Sequence, residues 1–193
     1  YREAIRCEMM RAEVFAGKRS PQTIGVPPSW FGLLVEALRL VALGELGKAA
    51  DLRAEAFEAA EETSVSIDGM SSSWIADADS RLGPVCEIII NGQYYWLPFS
   101  LLGELRFEGP EDLRDFVWTP AQLGLANGGQ QVALIPSRYP GSESHDDDRI
   151  RLCRLTEWEN IGSDAWRGMG QRVWTCEAGD HALLDIRHVS FGA

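Results

Sequence analysis

Asp77 and Asp79 stand one residue apart, with Arg81 two residues further on and a Gly83-Pro84 turn closing the stretch that begins at Trp74. Two carboxylates at that spacing suit two chemistries. They can hold a divalent metal, as in sugar-nucleotide transferases, or share acid–base work. A calcium loop needs more oxygen ligands at alternating positions, and Arg81 sits where one belongs. The competing reading is ion pairing. An apolar strand, Val85 to Ile90, follows at once, and charge beside a buried strand must be paired because an unpaired buried charge is costly. The same mixture of acid, arginine and aromatic or proline recurs at Asp112-Leu113-Arg114-Asp115, Arg138-Tyr139-Pro140, Glu157-Trp158, Gln171-Arg172 and Arg187. Guanidinium groups that stack on rings and pair with carboxylates explain that mixture. The expectation is a rigid polar network of Asp77, Asp79, Arg81, Arg114, Asp115, Arg138, Glu157, Arg172 and Arg187. The alternative is a metal-assisted hydrolase or transferase using Asp77 and Asp79, with Asp115 in support.

Other candidate chemistry is weaker. His145, His181 and His188 have no ligand spacing, and no serine lies in a nucleophile-elbow context. Gly168-Met169-Gly170-Gln171-Arg172 lacks the phosphate-loop pattern and reads as a turn before a strand. The run His145 to Asp148 reads as a solvated acidic stretch. No catalytic residue, metal site or cofactor is expected. Tyr94-Tyr95-Trp96 places Tyr94 and Trp96 on one strand face and Tyr95 on the other, so part of this set is a candidate contact patch.

Composition narrows the partners. The 193 residues carry a formal charge of −11, which disfavours nucleic acid and anionic lipid. Lys18 and Lys48 are the only lysines, so the cations are almost all arginine. Cys7, Cys86, Cys153 and Cys176 are widely spaced without a CxxC pair and read as buried free thiols in a reducing compartment. No stretch is long and apolar enough to span a bilayer. Tyr1 opens inside a helical pattern, so the native chain is expected to begin earlier.

The elements that must hold these residues divide in two. Residues 1–62 read as helical: Ile5, Met9, Ala12 and Phe15 share one face up to Gly17. Ser29 can cap a helix through Trp30, Leu33, Leu34, Leu38 and Val41, Gly44 to Gly47 break it, and Lys48 to about Glu62 forms the next. The pair is an αα-hairpin with a weak tetratricopeptide-like pattern. Residues 63–73 read as a polar linker. Residues 74–193 alternate with period two, and Asn91-Gly92 joins Val85–Asn91 to Gln93–Phe99 as a hairpin. Further strands are expected at Leu101–Phe107, Gln122–Ala126, Gln131–Ile135, Ile150–Leu155, Arg172–Glu177 and Ala182–Val189, with a helical turn at Glu111–Phe116 and an acidic loop at Pro140–Asp148. The fold class is α+β: N-terminal tetratricopeptide-like helices, then a mainly antiparallel β domain with short helices, built as a bent sheet or partial barrel.

Several phrases, in order, resemble one family. They are the Trp74–Pro84 segment, Asn91-Gly-Gln-Tyr-Tyr-Trp-Leu-Pro-Phe99, Pro110-Glu-Asp-Leu-Arg-Asp-Phe-Val-Trp118, Arg138-Tyr-Pro-Gly-Ser142, Thr156-Glu-Trp158, Gly170-Gln-Arg172 and Leu184-Asp-Ile-Arg187. They resemble the ImpE/TagJ (SciE-type) accessory proteins of bacterial type VI secretion. The resemblance implies a cytoplasmic, non-enzymatic adaptor that binds the N-terminal helix of the small sheath subunit and is linked with the AAA+ ATPase that recycles the sheath. It also implies further tetratricopeptide-like helices before residue 1. Trp30, Phe31, Leu34 and Leu38 are candidates to line a helix-binding groove, or else to pack the two halves together. Tyr94, Tyr95 and Trp96, with Arg114 and Arg138 at the rim, form an alternative dock.

Overall fold

The computed structural model describes residues 2–192. Tyr1, where the first helical pattern opens in the sequence, lies outside them. Three helices come first: α1 (Arg2–Phe15), α2 (Ser29–Ala42) and α3 (Leu46–Ala59). In α1 the inward face is Ala4, Cys7, Arg11 and Val14. The spacing of Ile5, Met9 and Ala12 instead points outward, leaving Ile5 56% and Met9 66% exposed. The face is set by Arg11, which must reach a buried carboxylate and carries its own side of the helix inward. Ser29 does not cap α2. Pro28 occupies that position without a side-chain hydrogen bond, and Ser29 is the first helical residue. The α2–α3 break is Leu43 to Glu45, and Gly47 lies within α3.

The strands that follow are β1 (Val65–Ile67), β2 (Met70–Ser72), β3 (Ile75–Asp77), β4 (Val85–Ile90), β5 (Gln93–Pro98), β6 (Leu102–Phe107), β7 (Trp118–Leu125) and β8 (Gln130–Pro136). A short helix, α4 (Asp148–Arg151), leads to β9 (Thr156–Asn160), β10 (Trp166–Gly170), β11 (Val173–Cys176), β12 (Gly179–Ala182) and β13 (His188–Phe191). Eight strands form one antiparallel sheet in the order β2-β1-β13-β6-β7-β8-β4-β5. It is open, not closed into a barrel. Beside it lie a three-stranded sheet, β12-β11-β3, and the hairpin β10-β9.

Several expectations need correction. Residues 63–73 are not a linker. They hold the β1–β2 hairpin, and β1 pairs with β13 near the far end of the chain. The serines that suggested a loop lie on a short edge hairpin, where Ser71 is exposed, Ser72 is buried and Val65 and Ile67 enter the core. Ile150–Leu155 is not a strand: Asp147 accepts a hydrogen bond from the Arg149 amide and starts α4. Glu111–Phe116, read as a helical turn, forms a turn in which the Asp115 carboxylate accepts from the Glu111 and Asp112 amides at 2.8 and 3.1 Å. The run Ala182–Val189 is divided by a 3₁₀ turn at Leu183–Asp185.

The β4–β5 hairpin turns through Asn91 and Gly92, both at positive φ (49° and 71°), as a two-residue turn of this kind requires. The outer edge of β5 is covered by the chain before α2, where the Trp96 amide donates to the Gln22 carbonyl at 2.8 Å. Two apolar clusters lie on the faces of the large sheet. One is wholly β, around Ile67, Ile88, Leu97, Phe99, Leu105 and Trp174. The other joins Cys7, Val14, Trp30, Phe31, Leu34 and Leu38 to Leu82, Val85, Tyr94, Trp96 and Tyr139, so the helices and the sheet share a core.

Gly168 and Gly170 permit β10 to approach its neighbours. A Cβ at Gly170, where φ is +100°, would lie 1.9 Å from the Leu155 carbonyl oxygen; one at Gly69 (φ +88°) meets nothing within 4 Å. Gly170→Ala is therefore expected to cost about 3 kcal/mol or more, and Gly69→Ala about 1 kcal/mol from backbone strain alone. Urea unfolding of both variants checks this ordering.

Candidate functional site

Where the three sheets and α1 meet, the charged or phenolic side chains of Arg11, Asp77, Glu87, Tyr94, Tyr139 and Arg172 are buried together. Arg172, just before β11, has no exposed side-chain surface. Its Nε donates to the Pro136 carbonyl at 2.8 Å, Nη1 to Asp77 Oδ2 and Nη2 to Glu87 Oε2. One planar guanidinium thus ties β8, β3 and β4 together, and it also lies over the Tyr139 ring at 5.2 Å. Glu87 receives a second guanidinium from α1: Arg11 Nε donates to Oε1 at 2.7 Å and Nη2 to Oε2 at 3.0 Å. The same Nη2 reaches the Arg138 carbonyl at 2.7 Å. The Tyr94 hydroxyl also donates to Glu87, and Trp96 Nε1 donates to the Tyr94 oxygen at 2.7 Å.

Asp77 and Asp79 are neighbours in this region but are committed to different partners. Asp77 Oδ1 accepts from the Asp79 amide at 2.9 Å and lies 3.0 Å from the Tyr139 hydroxyl. Asp79 Oδ1 accepts from the Arg81 amide and Nε, both at 2.9 Å, while Oδ2 accepts from Arg81 Nη2 at 2.6 Å and from the Gly168 amide at 3.0 Å. Asp77 is 3% and Asp79 0% exposed. The carboxylates therefore do not converge on an open cleft. Among the described residues no group of three or more His, Cys, Asp or Glu side chains is placed to hold a metal ion.

Burial and pairing pull the two central acids in opposite directions. For Asp77, burial outweighs the attraction of Arg172 and pushes the carboxyl up to about 6. For Glu87, burial also pushes upward, but Arg11 and Arg172 together overcome it and hold the carboxyl at about 2. The phenols of Tyr94 and Tyr139 are pushed up by burial, reinforced by Glu87 and Asp77 respectively. Burial likewise raises the Cys7, Cys86 and Cys153 thiols, so these cysteines are protonated at neutral pH.

The other residues of the expected network are dispersed. Arg114 is exposed and pairs with Asp112, and Asp115 serves its own turn. Arg138 Nη1 donates to the Arg151 carbonyl at 2.9 Å. Glu157 is exposed, 3.8 Å from His145. Arg187 Nη1 donates to the Leu184 and Ile186 carbonyls at 2.7 and 2.8 Å. The candidate contact residues Trp30, Phe31, Leu34, Leu38, Tyr94 and Trp96 are all buried, at 6% exposure or less, and Tyr95 is half-buried. Those in the core pack helices on sheet, because an amphipathic helix facing a sheet spends its apolar stripe there. Glu87 and Arg11 were not singled out in the sequence. The signals were a lone acid inside the apolar run Val-Cys-Glu-Ile-Ile-Ile and an arginine on the Ala4–Cys7–Val14 helical face.

The model of the ImpE protein family matches residues 69–190, and the chain belongs to that family. It is 48% identical over 191 residues to a Pseudomonas aeruginosa protein described as "Type VI secretion system accessory component TagJ". That match covers 99% of this chain and 66% of the relative, so the chain spans just under two thirds of the relative's length. The crystal structure of a Vibrio parahaemolyticus protein is similar with a TM-score of 0.89 at 20% identity, covering 98% of this chain and 71% of that one, a likeness of fold.

Glu87→Gln is expected to destabilise the protein by about 3–5 kcal/mol at pH 7, because it removes the charge that two buried arginines share. The folded-state value of Glu87 lies below its ordinary 4.5. Its contribution is therefore complete above about pH 4.5 and is lost as the pH falls towards about 2. The gap between the two proteins should close across that window in urea titrations at stepped pH. Asp77 has the opposite sign, since its raised carboxyl takes up a proton on folding as the pH falls from about 6 to 3.8.

Proposed function

We propose that the chain is a non-enzymatic accessory component of a type VI secretion system, working in the bacterial cytoplasm as an adaptor. In this reading it binds the contractile sheath through the N-terminal helix of the small sheath subunit and is linked to the sheath-recycling AAA+ ATPase. The α2–α3 hairpin is read as tetratricopeptide-like. The observation that carries the proposal is the 48% identity to the Pseudomonas aeruginosa accessory component across 99% of this chain. The ion cluster fits a structural role for the two acids: Asp77 and Asp79 are each paired with an arginine inside the fold. The charge of −11 fits a protein partner better than nucleic acid or anionic lipid.

Pulldown of purified sheath subunits on the immobilised protein tests the reading. Retention of the small subunit is expected, and its loss when that subunit's N-terminal helix is deleted. Equal retention with and without the helix would refute the adaptor reading. Calorimetric titration with magnesium, manganese and calcium is expected to show no binding; saturable heat abolished by Asp79→Ala would favour a metal-assisted hydrolase or transferase instead.

A further inference from the structure

The inward face of α3 is Ala49, Arg53 and Ala56, and Arg53 is only 7% exposed. Three other arginines are buried to the same degree or more, Arg11, Arg81 and Arg172, and each ends on a carboxylate. Arg53 does not. Among the described residues no carboxylate pairs with it, and no carbonyl or hydroxyl accepts from its guanidinium; Asp79 attracts it from beyond ion-pair distance. We infer that Arg53 is a recessed binding point for one carboxylate from outside the chain, the tip of an acidic side chain on a protein partner.

Asp79 cannot serve as the missing acceptor because it is already full. Its Oδ1 accepts from the Arg81 amide and Nε, and its Oδ2 from Arg81 Nη2 and the Gly168 amide. Those four bonds use the lone-pair sites of a carboxylate. Arg53 is also fixed in place. Its helix is held against the β region on either side of it: Cβ atoms added at Gly162 and Gly83 would lie 3.1 Å from Leu46 and 2.4 Å from Phe57. Leu46, Arg53 and Phe57 share one helical face, so the Arg53 stem emerges between those two contacts. Burial lowers the Arg53 pKa, opposed by Asp79, yet a guanidinium stays charged at neutral pH. A cation held in this way carries a desolvation cost that an ion pair offsets, and an incoming acceptor would recover it.

The chemistry of the point selects its occupant. A planar carboxylate matches the guanidinium fork and takes two parallel hydrogen bonds. A phosphate would bring a second negative charge towards Asp79, in a chain whose formal charge is −11. The small exposed fraction admits the end of a slender side chain while the body of the partner stays outside.

NMR titration of the full chain at neutral pH tests the site, with acetate replacing chloride at constant ionic strength. The Arg53 Nε–H signal and the α3 amides around it are expected to shift and saturate. A capped alanine-rich peptide with one glutamate should shift them likewise, and its glutamine counterpart should leave them unmoved. Arg53→Met keeps the bulk of the side chain and removes the charge. It should abolish both titrations and raise the melting temperature by a few degrees, because an apolar chain replaces an uncompensated buried cation. Arg39→Met, at an exposed arginine paired with Glu36, should leave both titrations intact. Signals indifferent to acetate, or a lower melting temperature in Arg53→Met, overturn the site. Shifts with acetate but not with the glutamate peptide overturn the protein partner and assign the point to a free small carboxylate.

Discussion

Burying the Arg172 guanidinium is the commitment around which this fold is arranged. A cation without exposed surface is tolerable only if every donor is directed to an acceptor, and Arg172 meets that condition with Pro136, Asp77 and Glu87. Those three acceptors belong to different strands, in two different sheets. Register, spacing and orientation of the sheets are thereby coupled, because a slip of one residue in β3 or β4 would turn its carboxylate to the other face. Apolar burial supplies the bulk of the driving force, and the ion pairs tie the strands to one another at fixed points.

Glu87 extends that coupling to the helical region. Its two oxygens are shared between Arg172 from the β region and Arg11 from α1, with Tyr94 as a further donor. The helices are thus held by a charged contact as well as by the Trp30, Phe31 and Leu34 stripe packed on β4 and β5. This explains why α1 presents an arginine on its inward face and exposes Ile5 and Met9. The orientation that would bury those two residues would leave Glu87 with one cation instead of two.

Much of this was legible in the residues, within limits that physics explains. The Asn91-Gly92 hairpin was readable because a two-residue turn with two positive φ angles tolerates few sequences. The Asp79–Arg81 pair was readable because its partners are two residues apart. The large antiparallel sheet followed from alternation, but its strand order did not: β1 pairs with β13, and nothing local marks either as the other's neighbour. The Glu87–Arg11 and Asp77–Arg172 pairs span 76 and 95 residues. Sequence shows that each charge needs a partner without saying which one. Of the two readings open for the apolar residues of α2, packing between helices and sheet is the one the fold shows, and sequence could not choose because an apolar stripe looks the same whether it faces a partner or the protein's own sheet.

Arg172 lies 85 residues after Glu87 and 95 after Asp77. On the ribosome, both acids emerge long before the cation that neutralises them, and the strands bearing them cannot close around unpaired charge. The strands bearing Asp77 and Glu87 are therefore expected to close only once Arg172 has been synthesised. Closure of these strands is consequently expected to be a late, cooperative step.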